Sequence, residues 1–291
     1  VIRYYKEAGE TEKARDILKT MQEIAPEAEL TRQAAYSLAT TNMDLIVNKI
    51  KEDEANAIRI HSYPKRKEKP DAGPPNFHHK AIEELFNGGE WLLDEGYIEA
   101  IANLPEKSVI EDLENVVRDS MERYELYLEN DVWEEDIAFV TYAVHLLGDF
   151  RVYNSLPLAL DFLRQEEEFH IYWMDDMIRD YLWMALYKLG NPKLDVLRNF
   201  ILEKDNYFFP RYMVSSVVAQ VALQQPERRE AVIQWYESVL HYFIENRDDE
   251  GLIDTELITY IVWALMDIGA ADLKDTVLSL YQYFYIHESA V

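Results

Sequence analysis

The chain has 291 residues, 48% of them hydrophobic, which is enough for one large domain or two ordinary ones with a packed core, so disorder is not its default. Its 55 acidic residues outnumber 29 Lys plus Arg, and a formal charge of -26 repels phosphate backbones and anionic lipid. That balance excludes nucleic acid and favours a basic protein or peptide as partner, while the absence of cysteine excludes disulfides, thiolate zinc sites and a cysteine nucleophile within these residues.

The opening residues, VIRYYKEAGE, show no charged leader followed by an apolar stretch, and no apolar run reaches the roughly 18 to 20 residues needed to cross a bilayer. The expectation is a cytoplasmic chain with no membrane segment. Its start at Val1 rather than Met reads as a missing true N-terminus and leaves a removed targeting segment open.

Residues 1–60 read as an N-terminal helical segment. Within YYKEAGETEKARDILKTMQEIAP, Tyr5, Gly9, Ala14, Leu18, Met21 and Pro26 resemble the latter two-thirds of a tetratricopeptide repeat, in which a small residue permits close helix approach and a proline ends the pair. The pattern does not continue: about 34 residues further on, Met43 stands for the glycine and Ile60 for the proline. An ordinary helical hairpin is the competing reading.

Residues 61–80, HSYPKRKEKPDAGPPNFHHK, hold four of the ten prolines and the basic run Lys65, Arg66, Lys67 and Lys69, and read as an extended linker. In so acidic a chain the basic run is expected to stay solvated or to lie against the protein's own carboxylates.

From residue 81 to 291 apolar residues recur at three- and four-residue intervals and glycine is rare, which predicts an all-α fold. WMALYKLGNPKLDVLRNFIL (183–202) reads as a helical hairpin. Ala185, Leu186 and Leu189 share one face, Leu194, Leu197 and Ile201 make the matching stripe, Gly190 suits a left-handed helix stop and Pro192 suits the first turn of the next helix. Similar hairpins turn at Gly148, at Gln225-Pro226 and at Gly269, a recurrence of about 35 to 45 residues typical of HEAT or armadillo repeats. The architecture expected is a right-handed α-solenoid of stacked antiparallel hairpins, with an irregular helical bundle as the alternative.

The segments YAVHLLGDFR, MDDMIRDYLWMALYKLGNPKLDVLRNFI and DNYFFPRYMVSSVVAQVALQQPERREAVIQWYESVL follow one another as in a bacterial family, domain of unknown function number 1186, which the chain resembles over about residues 95–285. The resemblance implies HEAT-like helical repeats without assigned chemistry, so it supplies no functional residue. Many members end in a cysteine-rich zinc-binding tail, which these residues do not include.

Candidate sites are few. NRDDEGLIDTEL (246–257) places Asn246, Asp248 and Glu250 at the first, third and fifth positions of a calcium loop and Gly251 at its turn, but the twelfth position is Leu257 rather than a bidentate glutamate. The simpler reading is a polar loop in which Gly251 breaks one helix and Asp254 caps the next. Glu167-x-x-His170 has the spacing of half a di-iron site, yet no second copy exists. His78-His79 in the linker converges poorly on one ion. No metal or other cofactor is therefore expected, although Asp248, Glu250, Asp254, Glu167 and His170 stand as the weak metal candidates.

Fifteen of the twenty tyrosines lie from Tyr124 onward, which puts the aromatic recognition potential on the repeats. Trp173, Asp175, Asp176, Tyr207, Tyr212 and Trp263 are the candidate partner-binding residues, since aromatic rings bordered by carboxylates suit a Lys- or Arg-bearing peptide. Tyr281, Tyr283, Phe284 and Tyr285 cannot all face one core stripe, so the last helix is expected either to meet something beyond residue 291 or to support self-association. The function expected is a non-catalytic protein- or peptide-binding scaffold; the alternative is a metal-dependent enzyme using carboxylate and histidine ligands on a helical scaffold.

Overall fold

The structure is a computed structural model, described here for residues 11–24, 31, 55, 57–58, 60, 69, 71–87, 95–130, 139–174, 182–284 and 286. All the regular elements among these residues are helical, so the chain is all-α. It divides into two compact units, Val1–Ala57 and Ile58–Val291.

In the first unit the described element is α1 (Thr11–Ile24). Ala14 is fully buried in it. The other residues of the tetratricopeptide-like pattern outside α1, Tyr5, Gly9 and Pro26, lie outside the described residues.

The second unit opens with α2 (Lys80–Asn87), α3 (Glu95–Ala102), α4 (Glu106–Glu122) and α5 (Tyr124–Glu129). Then come α6 (Phe139–Asp149), α7 (Leu156–Leu163), α8 (Glu167–Met174), α9 (Leu182–Gly190) and α10 (Leu194–Ile201). The chain continues through α11 (Phe208–Gln224), α12 (Arg229–Glu245), α13 (Thr255–Asp267) and α14 (Lys274–Tyr283). Four of these pairs, α6–α7, α9–α10, α11–α12 and α13–α14, are hairpins closed by short turns.

The first helices of the hairpins form one row: α4 packs on α6, α6 on α9, α9 on α11 and α11 on α13. The second helices follow behind, α10 against α12 and α12 against α14. Two incoming helices rest in the groove of the hairpin before them: α9 touches both α6 and α7, and α11 touches both α9 and α10. The residues at these crossings are the expected stripes. Ala185, Leu186, Leu189, Leu197 and Ile201 are all buried, and each large aliphatic side chain so placed contributes about 1.5–3 kcal/mol.

Polar staples join successive turns. Arg228 Nη2 donates to the Asn191 carbonyl (2.7 Å), Trp235 Nε1 to the Leu194 carbonyl (2.8 Å), and Arg229 Nη2 to the Gly269 carbonyl (2.8 Å). Arg164 donates to both Glu203 carboxylate oxygens at 2.6 Å, and Lys188 pairs with Asp149. These bonds reach from one hairpin to the next and hold the register that apolar packing leaves loose.

Two details differ from the expected hairpin. Gly190 is helical rather than left-handed; a Cβ there would sit 3.1 Å from the Leu197 methyl carbons, so the glycine serves close packing inside its own hairpin. Pro192 lies in the turn ahead of α10, whose flanking residue is Lys193. The left-handed turn residues are instead Arg151, Asp205 and Gly269.

The last part of the expected linker is held against α4. The buried Asp112 carboxylate accepts the backbone N–H groups of His78 and His79, each at 3.0 Å, and the His78 ring at 2.8 Å. Those donors precede α2 and would otherwise go unpaired. Lys69 forms an ion pair with Glu122, while Lys65, Arg66 and Lys67 lie outside the described residues.

Candidate functional site

An apolar groove of about 850 Å³ lies between α13 and α14. Val262, Leu265 and Met266 form one wall, Val277, Leu278 and Tyr281 the other. The turn residues Gly269, Ala270 and Ala271 close one end, and Lys274 is the charged residue among its lining. The groove exists because α13 and α14 each give one face to the preceding hairpin and keep a second apolar face outward. Met266 is 60% exposed, Leu278 53% and Tyr281 41%, although each lies within one helical turn of a fully or nearly buried residue.

A strip of aromatic rings runs across α11 and α13. Tyr212 packs on Tyr260 with ring centroids 4.4 Å apart, Tyr260 meets Trp263 edge-on at 5.0 Å, and Phe208 stacks on Tyr260 at 6.1 Å. Tyr207 joins through Phe208 at 5.0 Å and donates its hydroxyl to Glu167 Oε1 (2.8 Å). Three candidate partner-binding residues, Tyr207, Tyr212 and Trp263, thus share one strip. The sequence reading missed Phe208 and Tyr260, which link them, because their ring contacts cross between helices 50 residues apart in the chain.

Trp173 is placed elsewhere. It is 2% exposed, in a cluster with Tyr127, Phe139 and Tyr172 at 5.0–5.6 Å, so its ring fills the core under α8 and offers no partner surface. Asp175 and Asp176 lie outside the described residues. At the chain's end Phe284 is buried while Tyr281 and Tyr283 are open, and Tyr285 is outside the described residues.

The weak metal candidates are brought together by neither motif. Asp254 is buried at the start of α13, where Oδ1 accepts the N–H groups of Glu256 and Leu257 at 3.0 Å and Oδ2 accepts that of Ile60 at 3.1 Å. The cap anticipated from the sequence is present. Gly251 does not end the preceding helix, which stops at Glu245; its carbonyl accepts the Asp205 N–H at 2.7 Å. Asp248 and Glu250 are exposed, and Asp249 pairs with Lys204. Glu167 faces Tyr207, whereas His170 is buried and donates Nε2–H to the Phe162 carbonyl at 3.2 Å. Among the described residues no three His, Asp or Glu side chains converge on one point.

Near the linker, the His79 ring lies 2.7 Å from the Ser108 hydroxyl, but the adjacent carboxylate Asp112 holds the ring of His78. A nucleophilic triad needs the carboxylate on the histidine that faces the serine. The Asp112 hydrogen bond also raises the His78 pKa above its ordinary value, in keeping with a clasp rather than a base.

The family whose sequence pattern matches residues 82–289 is described as a protein of unknown function, DUF1186. The chain belongs to this family. No curated protein and no solved structure matches it. The DUF1186 region takes in every hairpin and both walls of the groove, so the groove lies within the family's own domain. No helix among the described residues is long and apolar enough to cross a membrane.

Proposed function

We propose that this chain is a non-catalytic helical-repeat scaffold that holds another polypeptide by surface recognition, with its acidic character favouring a basic partner. One observation carries the reading: Met266, Leu278 and Tyr281, all open, line a single groove between α13 and α14. A stacked repeat hides its flanks against its neighbours. On α13–α14 the flank turned away from α11–α12 is apolar and open. Contiguous open apolar surface of this kind marks sites of protein contact. The aromatic strip through Tyr212, Tyr260 and Trp263 adds rings suited to cationic side chains.

Site-specific photo-cross-linking tests the reading. A benzoylphenylalanine placed at Met266 or at Leu278 is expected to capture the same protein in cells, and one at Gln234, exposed on α12, to capture none. Failure to cross-link from both groove positions, or equal capture from Gln234, would overturn it.

A further inference from the structure

The turn joining α13 to α14 is built like the turn joining α6 to α7. Val152 N–H donates to the Leu147 carbonyl at 3.0 Å, and Ala270 N–H to that of Leu265 at 2.9 Å. Tyr153 donates to Arg151 and Ala271 to Gly269; Ser155 donates to Val152 and Leu273 to Ala270. The left-handed residues are Arg151 (φ 54°) and Gly269 (φ 61°). A short 3-10 turn follows in each, Tyr153–Ser155 and Ala271–Leu273, and the second helix begins directly after it, at Leu156 and at Lys274.

This identity of turns fixes the two hairpins residue by residue. Leu147 corresponds to Leu265, Gly148 to Met266, Asp149 to Asp267, Leu160 to Leu278 and Leu163 to Tyr281. In the first hairpin α9 lies against both helices, and Leu147, Gly148, Leu160 and Leu163 are all buried. Ala185 of α9 meets Gly148, and Lys188, one turn further along α9, pairs with Asp149. In the last hairpin the corresponding positions line the open groove, and Asp267 is exposed beside it.

We infer that the α13–α14 groove docks an amphipathic helix of a partner protein, laid as α9 lies on α6–α7, with its apolar stripe in the groove and a Lys or Arg one turn past the crossing point paired to Asp267. This rests on the scaffold reading and names the occupant. The occupant is a helix because the surface repeats, position for position, one that already receives a helix in this fold. Its cation follows from Asp267, exposed next to the groove residue Met266. A second copy of a chain carrying a formal charge of -26 would bring the opposite sign. Met266 stands where Gly148 permits the closest approach, so the partner's backbone rides higher than α9 does, and the flexible thioether accommodates a crossing residue larger than alanine.

The test uses the intact chain and a fluorescent peptide with the sequence of residues 182–193, stapled on its open face to keep it helical. Saturable binding is expected by anisotropy. Lys188→Glu in the peptide should weaken it by about tenfold, Asp267→Lys in the protein should restore the weakened peptide, and Met266→Glu should abolish binding of both. Circular dichroism confirms that the protein variants remain folded. Equal affinity for the two peptides, or no binding of either, overturns the helix proposal while leaving the scaffold reading to the cross-linking result. Sedimentation of the chain alone supplies the remaining arm: a dimer dissolved by Met266→Glu assigns the groove to a second copy and also overturns the proposal.

Discussion

Gly148 and Ala185 meet backbone to backbone: a Cβ on Gly148 would lie 3.0 Å from the Ala185 Cα and 3.2 Å from its carbonyl oxygen. Neither atom can swing aside as the end of a long side chain would. Gly148→Ala gains about 1 kcal/mol of helix propensity but forces α6 and α9 apart, an overpacking cost of about 1–3 kcal/mol. A net loss of stability is expected, read as a lower urea midpoint at unchanged slope, and Gly148→Leu should lose far more.

The same pair shows how much of this fold was legible. The period of Ala185, Leu186 and Leu189 announced a buried helical face because helix geometry repeats every 3.6 residues and needs no tertiary knowledge. The turns at Gly148 and Gly269 were equally visible. What glycine does at each position was not: Gly148 and Gly190 make room for neighbouring helices, and Gly269 takes the left-handed conformation that Arg151 takes in the equivalent turn. Spacing cannot separate these uses. Trp173 failed for a related reason, since the cluster that buries it comes from α5, α6 and α8. Tyr207, Tyr212 and Trp263 were legible as residue types, but their union through Phe208 and Tyr260 belongs to the packing. The Asp254 cap was readable because it spans only the four consecutive residues 254–257; its third bond, to Ile60, was not.

That third bond makes Asp254→Ala a sharp probe. The substitution frees the N–H groups of Glu256 and Leu257 at the start of α13 and that of Ile60, and the site is buried. Loss of a cap costs about 1 kcal/mol, and a buried donor left unpaired adds about 1–3 kcal/mol. A destabilisation of about 2–4 kcal/mol is expected in urea unfolding. Hydrogen exchange should quicken at Ile60 as well as in the first turn of α13, and protection retained at Ile60 would show that Thr255, which bonds Ile58, holds the segment alone.

His170 gives the fold an acid limit. Burial pushes its pKa down to about 4, against an ordinary value near 6.5, and so keeps the ring neutral, although its bond to the Phe162 carbonyl favours the charged form. Between those two values the unfolded chain binds a proton that the native state does not, so stability is full above about pH 6.5 and falls as the pH drops toward 4. The shift corresponds to about 3 kcal/mol at most. His170→Gln should flatten that part of the stability profile, measured by thermal unfolding from pH 4 to 7.

Arg211 locks two loops from inside the core. It is fully buried, donates Nε–H to the Ile201 carbonyl at 2.9 Å and Nη2–H to the Leu252 carbonyl at 2.8 Å, and lies over the Phe243 ring. Burial lowers its pKa to about 10, so the guanidinium stays charged at neutral pH. A lysine cannot reach both carbonyls with one planar fork. Arg211→Lys is therefore expected to cost about 1.5–3 kcal/mol, the range for a hydrogen bond made by a charged group, and to loosen the 246–254 loop in limited proteolysis.

Leu160 and Leu278 occupy the same position in two hairpins built alike, yet one is 1% exposed and the other 53%. If the outer face of α13–α14 is open for an occupant, a charge at Leu278 costs the isolated chain little, while the same charge at Leu160 must be buried in the core. Leu160→Glu should destabilise by about 3 kcal/mol or more, because a lone carboxylate has no partner there. Leu278→Glu should stay within about 0.5 kcal/mol of the parent in urea and still abolish docking. Near-equal losses at the two positions would mean that the chain itself already covers the groove.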